Sequence, residues 1–151
     1  MTGPERVFAI ANAIVLVGWA ALLLAPVRRP LMIRVARVAA ALVAGIYTTL
    51  VVRGLLSGPG LPDGAGFATL AGVEALFASR AAILGGWVHF LAFDLFVASW
   101  VAEDAPRSGV PHLLVLPALV LCLLAGPAGL LLYLLVSAGF RLAGRRPASR
   151  P

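Results

Sequence analysis

A chain of 151 residues that is 62% hydrophobic and 12% charged, with a mean hydropathy of +1.03, lies far outside the roughly 45–50% apolar and 25% charged usage of water-soluble domains. Lipid is its expected solvent, and one domain over residues 1–151 exhausts the length once four spans of about 20 residues are placed. All twelve basic residues are arginines, giving a net charge of +6; they sit at the ends of apolar segments, where membrane lipid phosphates are the ready partners, and form no basic stripe with interleaved aromatics of the kind that binds nucleic acid.

The first apolar run, residues 7–25, is interrupted only by Asn12 and closed by Pro26, Arg28 and Arg29. It is long enough to span and reads as retained, because a cleaved signal peptide has a shorter apolar stretch and a positive start. The second span, 35–56, carries Arg53 near its end, where a long side chain reaches the headgroups. It stops at SGPGLPDGAG, residues 57–66, whose four glycines and two prolines cannot propagate a helix. Residues 67–80 are too few to cross and read as an interfacial or re-entrant helix, with Phe67, Leu70 and Phe77 on one face.

The third span, 83–102, holds Trp87, His89, Phe90, Phe93, Asp94, Phe96 and Trp100, and is followed by Glu103 and Asp104. The fourth apolar run, Leu113 to Phe140, is 28 residues; at about 1.5 Å each it is roughly 42 Å long, more than the ~30 Å hydrocarbon core. The fourth span is placed at about 113–135, and Pro117 and Gly126-Pro127-Ala128-Gly129 give it the means to kink. A basic tail, 141–151, follows, expected to be disordered. The fold class is therefore all-α: an integral-membrane four-helix bundle with a short helix between spans 2 and 3.

Orientation does not follow from this four-span arrangement. It puts five arginines on one side (Arg28, Arg29, Arg34, Arg37, Arg107) and seven on the other (Arg6, Arg53, Arg80 and the four of the tail). The first loop and the tail both ask to be cytoplasmic, and four spans cannot satisfy both. Five crossings would satisfy them, if residues 67–80 inserted or the fourth run were a hairpin at Gly126-Pro127.

An ionisable side chain in mid-membrane costs several kcal/mol and is by default a functional candidate. Asp94 falls within one or two residues of the midpoint of its span, so it must be protonated, paired or facing a polar cavity. His89 is five residues earlier, about 140° around the helix and about 7.5 Å along it. The two do not stack on one face, yet both can border one cleft walled by Trp87, Phe90, Phe93, Phe96 and Trp100, with Asn12 and Glu74 within reach. The plainer readings are that Asp94 is glue hydrogen-bonded to Asn12, Tyr47 or Thr48, that the aromatics are core and interfacial belt, with Trp19 and Trp100 in the belt, and that Cys122 is a packed thiol. No His/carboxylate pair has metal-site spacing, and no cofactor motif is present.

The stretch Gly86-Trp87-Val88-His89-Phe90-Leu91-Ala92-Phe93-Asp94-Leu95-Phe96-Val97 resembles the family of small membrane proteins named after the plant abscisic-acid-deficient four protein. The W-x-H-x4-D-L-F core is matched by Trp87, His89, Asp94, Leu95 and Phe96, and the family's proline-glycine element in the last span by Pro127 and Gly129. The likeness runs loosely from Phe8, Asn12, Gly18 and Trp19 to Tyr133. It implies a four-span fold and a link to making neoxanthin from violaxanthin, the opening of a 5,6-epoxide to an alcohol and an allene without net redox change. Such a reaction needs one group to protonate the epoxide oxygen and another to take a proton from carbon. On that implication Asp94 is the acid and His89 the base, or the reverse.

The arginine-only, alanine- and leucine-rich composition looks bacterial, without a serine- and arginine-rich transit peptide, and points to the bacterial cytoplasmic membrane, where neoxanthin is not an expected product. What carries over is a lipid-embedded acid–base site for a carotenoid or other isoprenoid. The rival readings are a non-catalytic binding or assembly protein and a small proton-coupled carrier, the latter needing a homo-oligomer to enclose a path.

Overall fold

The computed structural model describes residues 2–58 and 60–144. Five α-helices follow in order: α1 (Gly3–Leu23), α2 (Arg29–Ser57), α3 (Leu70–Phe77), α4 (Arg80–Arg107) and α5 (His112–Gly144). Four of them, all but α3, are long and apolar enough to cross a membrane. The short helix expected over 67–80 is only eight residues, because Thr69 caps it by accepting from the Gly72 N–H at 3.1 Å and Ser79 already caps the next helix by accepting from Ala82 at 3.1 Å. Phe67 is thus outside α3 and does not share a helical face with Leu70 and Phe77.

Small side chains hold α1, α2 and α4 together. Ala11, Val15, Gly18 and Leu22 of α1 face Ala36, Ala39, Ala40 and Val43 of α2 and Val88, Ala92, Leu95 and Ala102 of α4, all buried. At Gly18 a Cβ would come within 3.2 Å of Ala39 Cβ and 3.1 Å of a Leu95 methyl. Close backbones of this kind are how apolar helices gain packing where hydrocarbon supplies no hydrophobic drive. Large apolar residues such as Leu16, Val17, Leu42 and Leu124 point outward. Trp19, expected in an interfacial belt, is instead buried at 5% exposure in this core, because it continues the inward stripe begun by Ala11 and Val15.

The two ends of the bundle differ. At one, Glu5 of α1 pairs with Arg80 of α4 at 3.8 Å and Phe8 lies against Trp87. The other is rich in arginine. There Pro106 removes the N–H that would bond Ala102 C=O, and the Arg29 guanidinium donates to that carbonyl at 2.9 Å. Arg37 pairs with Glu103, which Arg107 also approaches at 3.5 Å. His112 at the start of α5 lies 3.3 Å from the free Leu23 carbonyl at the end of α1.

The fourth long helix is not straight. Ala125 leaves the helical region (φ −156°, ψ 68°), and beyond it the chain doubles back. A Cβ on Gly129 would lie 2.5 Å from the Ala118 carbonyl oxygen and 2.5 Å from Cys122 Sγ, although residues 118 and 129 would be about 16 Å apart along a continuous helix. Leu114 and Pro117 likewise line one groove with Leu132, Val136 and Phe140. So α5 is a hairpin of two arms, residues 112–124 and 126–144. Its second arm returns to the arginine-rich end, where Tyr133, Ser108 and Arg141 all donate to the Asp104 carboxylate, at 2.5, 2.8 and 2.8 Å.

This path differs from a single span over 113–135, and it carries Arg141 to the end that already holds Arg28, Arg29, Arg34, Arg37 and Arg107, leaving Arg6, Arg53 and Arg80 at the other. The tail over 141–151 is helical as far as Gly144; Arg145, Arg146 and Arg150 lie outside the described residues. Six arginines against three remove the near tie, and the arginine-rich end is predicted to face the cytoplasm. In a Cys122→Ala background, Val27→Cys and Leu142→Cys should react with a membrane-impermeant thiol reagent from the cytoplasmic face and Asp63→Cys from the opposite one. Labelling of Leu142→Cys together with Asp63→Cys would exclude the hairpin.

Asp104 lies beyond the apolar stretch of α4, and its three donors, Tyr133 first, hold its carboxyl below the usual aspartate range. The stabilisation it gives is complete above about pH 4 and is lost as the pH falls through its lowered value. Asp104→Asn should lower the melting temperature in detergent at neutral pH and flatten its acid dependence; an unchanged acid profile would assign the acid loss to other groups.

Candidate functional site

One stripe of α4, Trp87, Phe90, Asp94, Val97, Val101 and Ala105, recurs at spacings of three and four and so lies on one face. Its exposure changes along its length. Trp87 and Phe90 are 44% and 58% exposed, whereas Val101 and Ala105 are fully buried. The change falls at Asp94, where the hairpin ends: a Cβ on Gly126 would sit 2.6 Å from Asp94 Cγ and collide with its nearer oxygen. The carboxylate thus rests against the tip of α5, and past the tip α4 is uncovered. The result is a notch open to the surroundings on the loop side, with Trp87 and Phe90 along its wall and Asp94 at its floor.

The hairpin tip also fixes what Asp94 meets. Ala125 ends one arm, and Gly126, Pro127, Ala128 and Gly129 form the first turn of the next, whose N–H groups have no partner within the helix. Such a helix start carries a partial positive charge that favours an anion beside it. Two of the partners expected for a purely structural Asp94 donate elsewhere, Asn12 to Phe8 C=O at 2.7 Å and Thr48 to Ala44 C=O at 2.9 Å, and the Tyr47 ring lies edge-on to His89 at 5.3 Å.

His89 is on the neighbouring face. Its ring is 4.7 Å from Phe93, one turn further along, and half-exposed Phe96 and Trp100 continue that line, with Trp100 edge-on to Tyr133 at 5.7 Å. The aromatics therefore divide into two walls, one leading to Asp94 and one to His89, instead of enclosing a single cage. Asn12 lies on α1 between the contacts Phe8–Trp87 and Gly18–Leu95, alongside the notch. Glu74 is exposed on α3, whose Phe77 lies against Gly86 of α4. Among the described residues no three His, Cys, Asp or Glu side chains converge.

Sequence reasoning missed Gly126 as the residue against Asp94 and Tyr47 as the neighbour of His89. The first had a signal, a Gly-Pro pair in mid-run; the second had none, since a tyrosine in an apolar helix has no pattern that names its neighbour.

A model of the ABA DEFICIENT 4-like family matches residues 6–133. The chain belongs to that family. No curated protein and no solved structure matches it significantly. The segment shared with the ABA DEFICIENT 4-like model takes in His89, Asp94 and the hairpin tip, and ends at Tyr133, the residue that ties the second arm to Asp104.

Adding a side chain at the tip should separate it from Asp94. Gly126→Leu overpacks the contact and is expected to lower the melting temperature by the several degrees that about 1–3 kcal/mol represents. Gly45→Leu, where nothing lies within 4 Å of a Cβ, should be nearly neutral. Equal effects of the two would contradict the close approach.

Proposed function

We propose that this protein holds a carotenoid or other isoprenoid in the notch beside the hairpin tip and acts on it by acid–base chemistry at Asp94 and His89. The observation that carries the reading is the switch from exposed to buried along the α4 stripe at Asp94. An apolar chain can enter such a notch sideways from lipid, with no aqueous path, and lie against Trp87 and Phe90 while its polar end reaches the carboxyl. Family membership supports a membrane protein of this kind.

In the simplest isomerisation a neutral Asp94 gives its proton to an oxygen of the substrate as a C–O bond breaks. His89 takes a proton from carbon, leaving its electron pair to form a double bond. Atoms and charge balance without an oxidant or reductant, and the starting protonation states return by proton transfer from His89 to Asp94. Since each group lies on its own face of α4, the substrate must reach around the helix between them, and the roles are interchangeable. We assign the protein to a bacterial cytoplasmic membrane on composition and arginine distribution.

The protein purified in mild detergent from its own membranes should release a polyene or other isoprenoid on solvent extraction, identified by absorption and mass spectrometry. Asp94→Asn should alter the bound molecule and slow its conversion by about 100-fold or more, the usual contribution of a positioned acid or base. Bulk phospholipid alone from both proteins would sink the isoprenoid reading. Retained ligand with no product lost in either Asp94→Asn or His89→Ala would leave a binding protein.

A further inference from the structure

At the arginine-rich end the carboxylates are spoken for. Glu103 is shared by Arg37 and Arg107, and Asp104 is held by Arg141, Tyr133 and Ser108. Arg28 and Arg34 have no such partner among the described residues, and both line one cavity of about 310 Å³ with Pro30 and Leu31. No acidic residue lines it. Two exposed arginines on one recess with no carboxylate favour an anion there, and guanidinium matches a phosphate with two parallel hydrogen bonds.

The surroundings narrow the anion. Pro30, Leu31 and Arg34 share a face of the first turns of α2, whose start is fixed because Arg29 is bonded to Ala102 C=O and Ile33 is buried. Leu24 and Val27, just before the cavity in the chain, are exposed apolar residues, Val27 at 72%. A charged recess bordered by exposed apolar side chains, at the end of helices long enough to span, suits a molecule with an anionic head and an apolar tail.

We propose that Arg28 and Arg34 form a site for the phosphate of an anionic phospholipid in the leaflet against the arginine-rich end. The site is separate from the notch at Asp94, lies at the opposite end of the fold's polar surface from Glu5 and Arg80, and does not depend on any activity of the protein.

Native mass spectrometry on protein reconstituted in phosphatidylcholine nanodiscs with added phosphatidylglycerol reads the site directly. Wild type should keep one phosphatidylglycerol more tightly than phosphatidylcholine, and Arg28→Gln/Arg34→Gln should bind it about thirtyfold more weakly, from roughly 1 kcal/mol per arginine at a membrane surface. Arg28→Lys/Arg34→Lys should retain part of that preference, and Arg6→Gln/Arg53→Gln, at the other end, all of it. Equal loss in Arg6→Gln/Arg53→Gln would show a diffuse charge effect and overturn the site, as would unchanged retention in Arg28→Gln/Arg34→Gln. Displacement of the lipid by millimolar inorganic phosphate would assign the cavity to a free anion and overturn its assignment to lipid.

Discussion

The break at Ala125 is the constraint on which the rest of the architecture hangs. In hydrocarbon a backbone N–H or C=O without a partner costs several kcal/mol, so a helix is interrupted only where protein covers the gap. Here Pro127 has no N–H to lose, Gly126 and Gly129 let the arms and α4 approach closely, and Asp94 sits against the freed helix start. Take away the small residues and the arms cannot meet; take away the break and Asp94 faces an intact helix with nothing to offer a charge.

From that single turn follow both the shape of the candidate site and the polarity of the molecule. Because the hairpin stops at Asp94, half of one α4 face stays open and becomes a notch lined by Trp87 and Phe90. Because its second arm returns, Arg141 joins Asp104 and Ser108 at the arginine-rich end. The arginines there do two kinds of work. Arg29, Arg37, Arg107 and Arg141 satisfy carbonyls, hydroxyls and carboxylates within the fold. Arg28 and Arg34 line a cavity at which no acidic residue stands.

The candidate site was legible to the extent that it depends on what lipid forbids. Asp94 and His89 stand out in the sequence because ionisable groups are expensive in mid-span, and the aromatics beside them follow from the same helix. Their arrangement was not legible. Both walls are on α4, but only the placement of α1, α2 and α5 around it decides that Phe90 is open and Val101 covered. Trp19 shows the same limit: tryptophan favours interfaces on average, yet its register in α1 turns it inward to the core.

By itself the sequence determined the all-α class, the long apolar helices, the Gly/Pro loop after α2 and the polar residues that hydrocarbon would tolerate only for a reason. These are local or compositional: they depend on run length, helix breakers and transfer cost, which a chain carries with it. Only the tertiary structure decided that the last apolar run folds back. A Gly-Pro pair allows a kink, a bend or a full reversal alike, and what selects the reversal is the contact of Gly129 with Ala118 and Cys122 and of Tyr133 and Arg141 with Asp104, pairs separated by up to 37 residues.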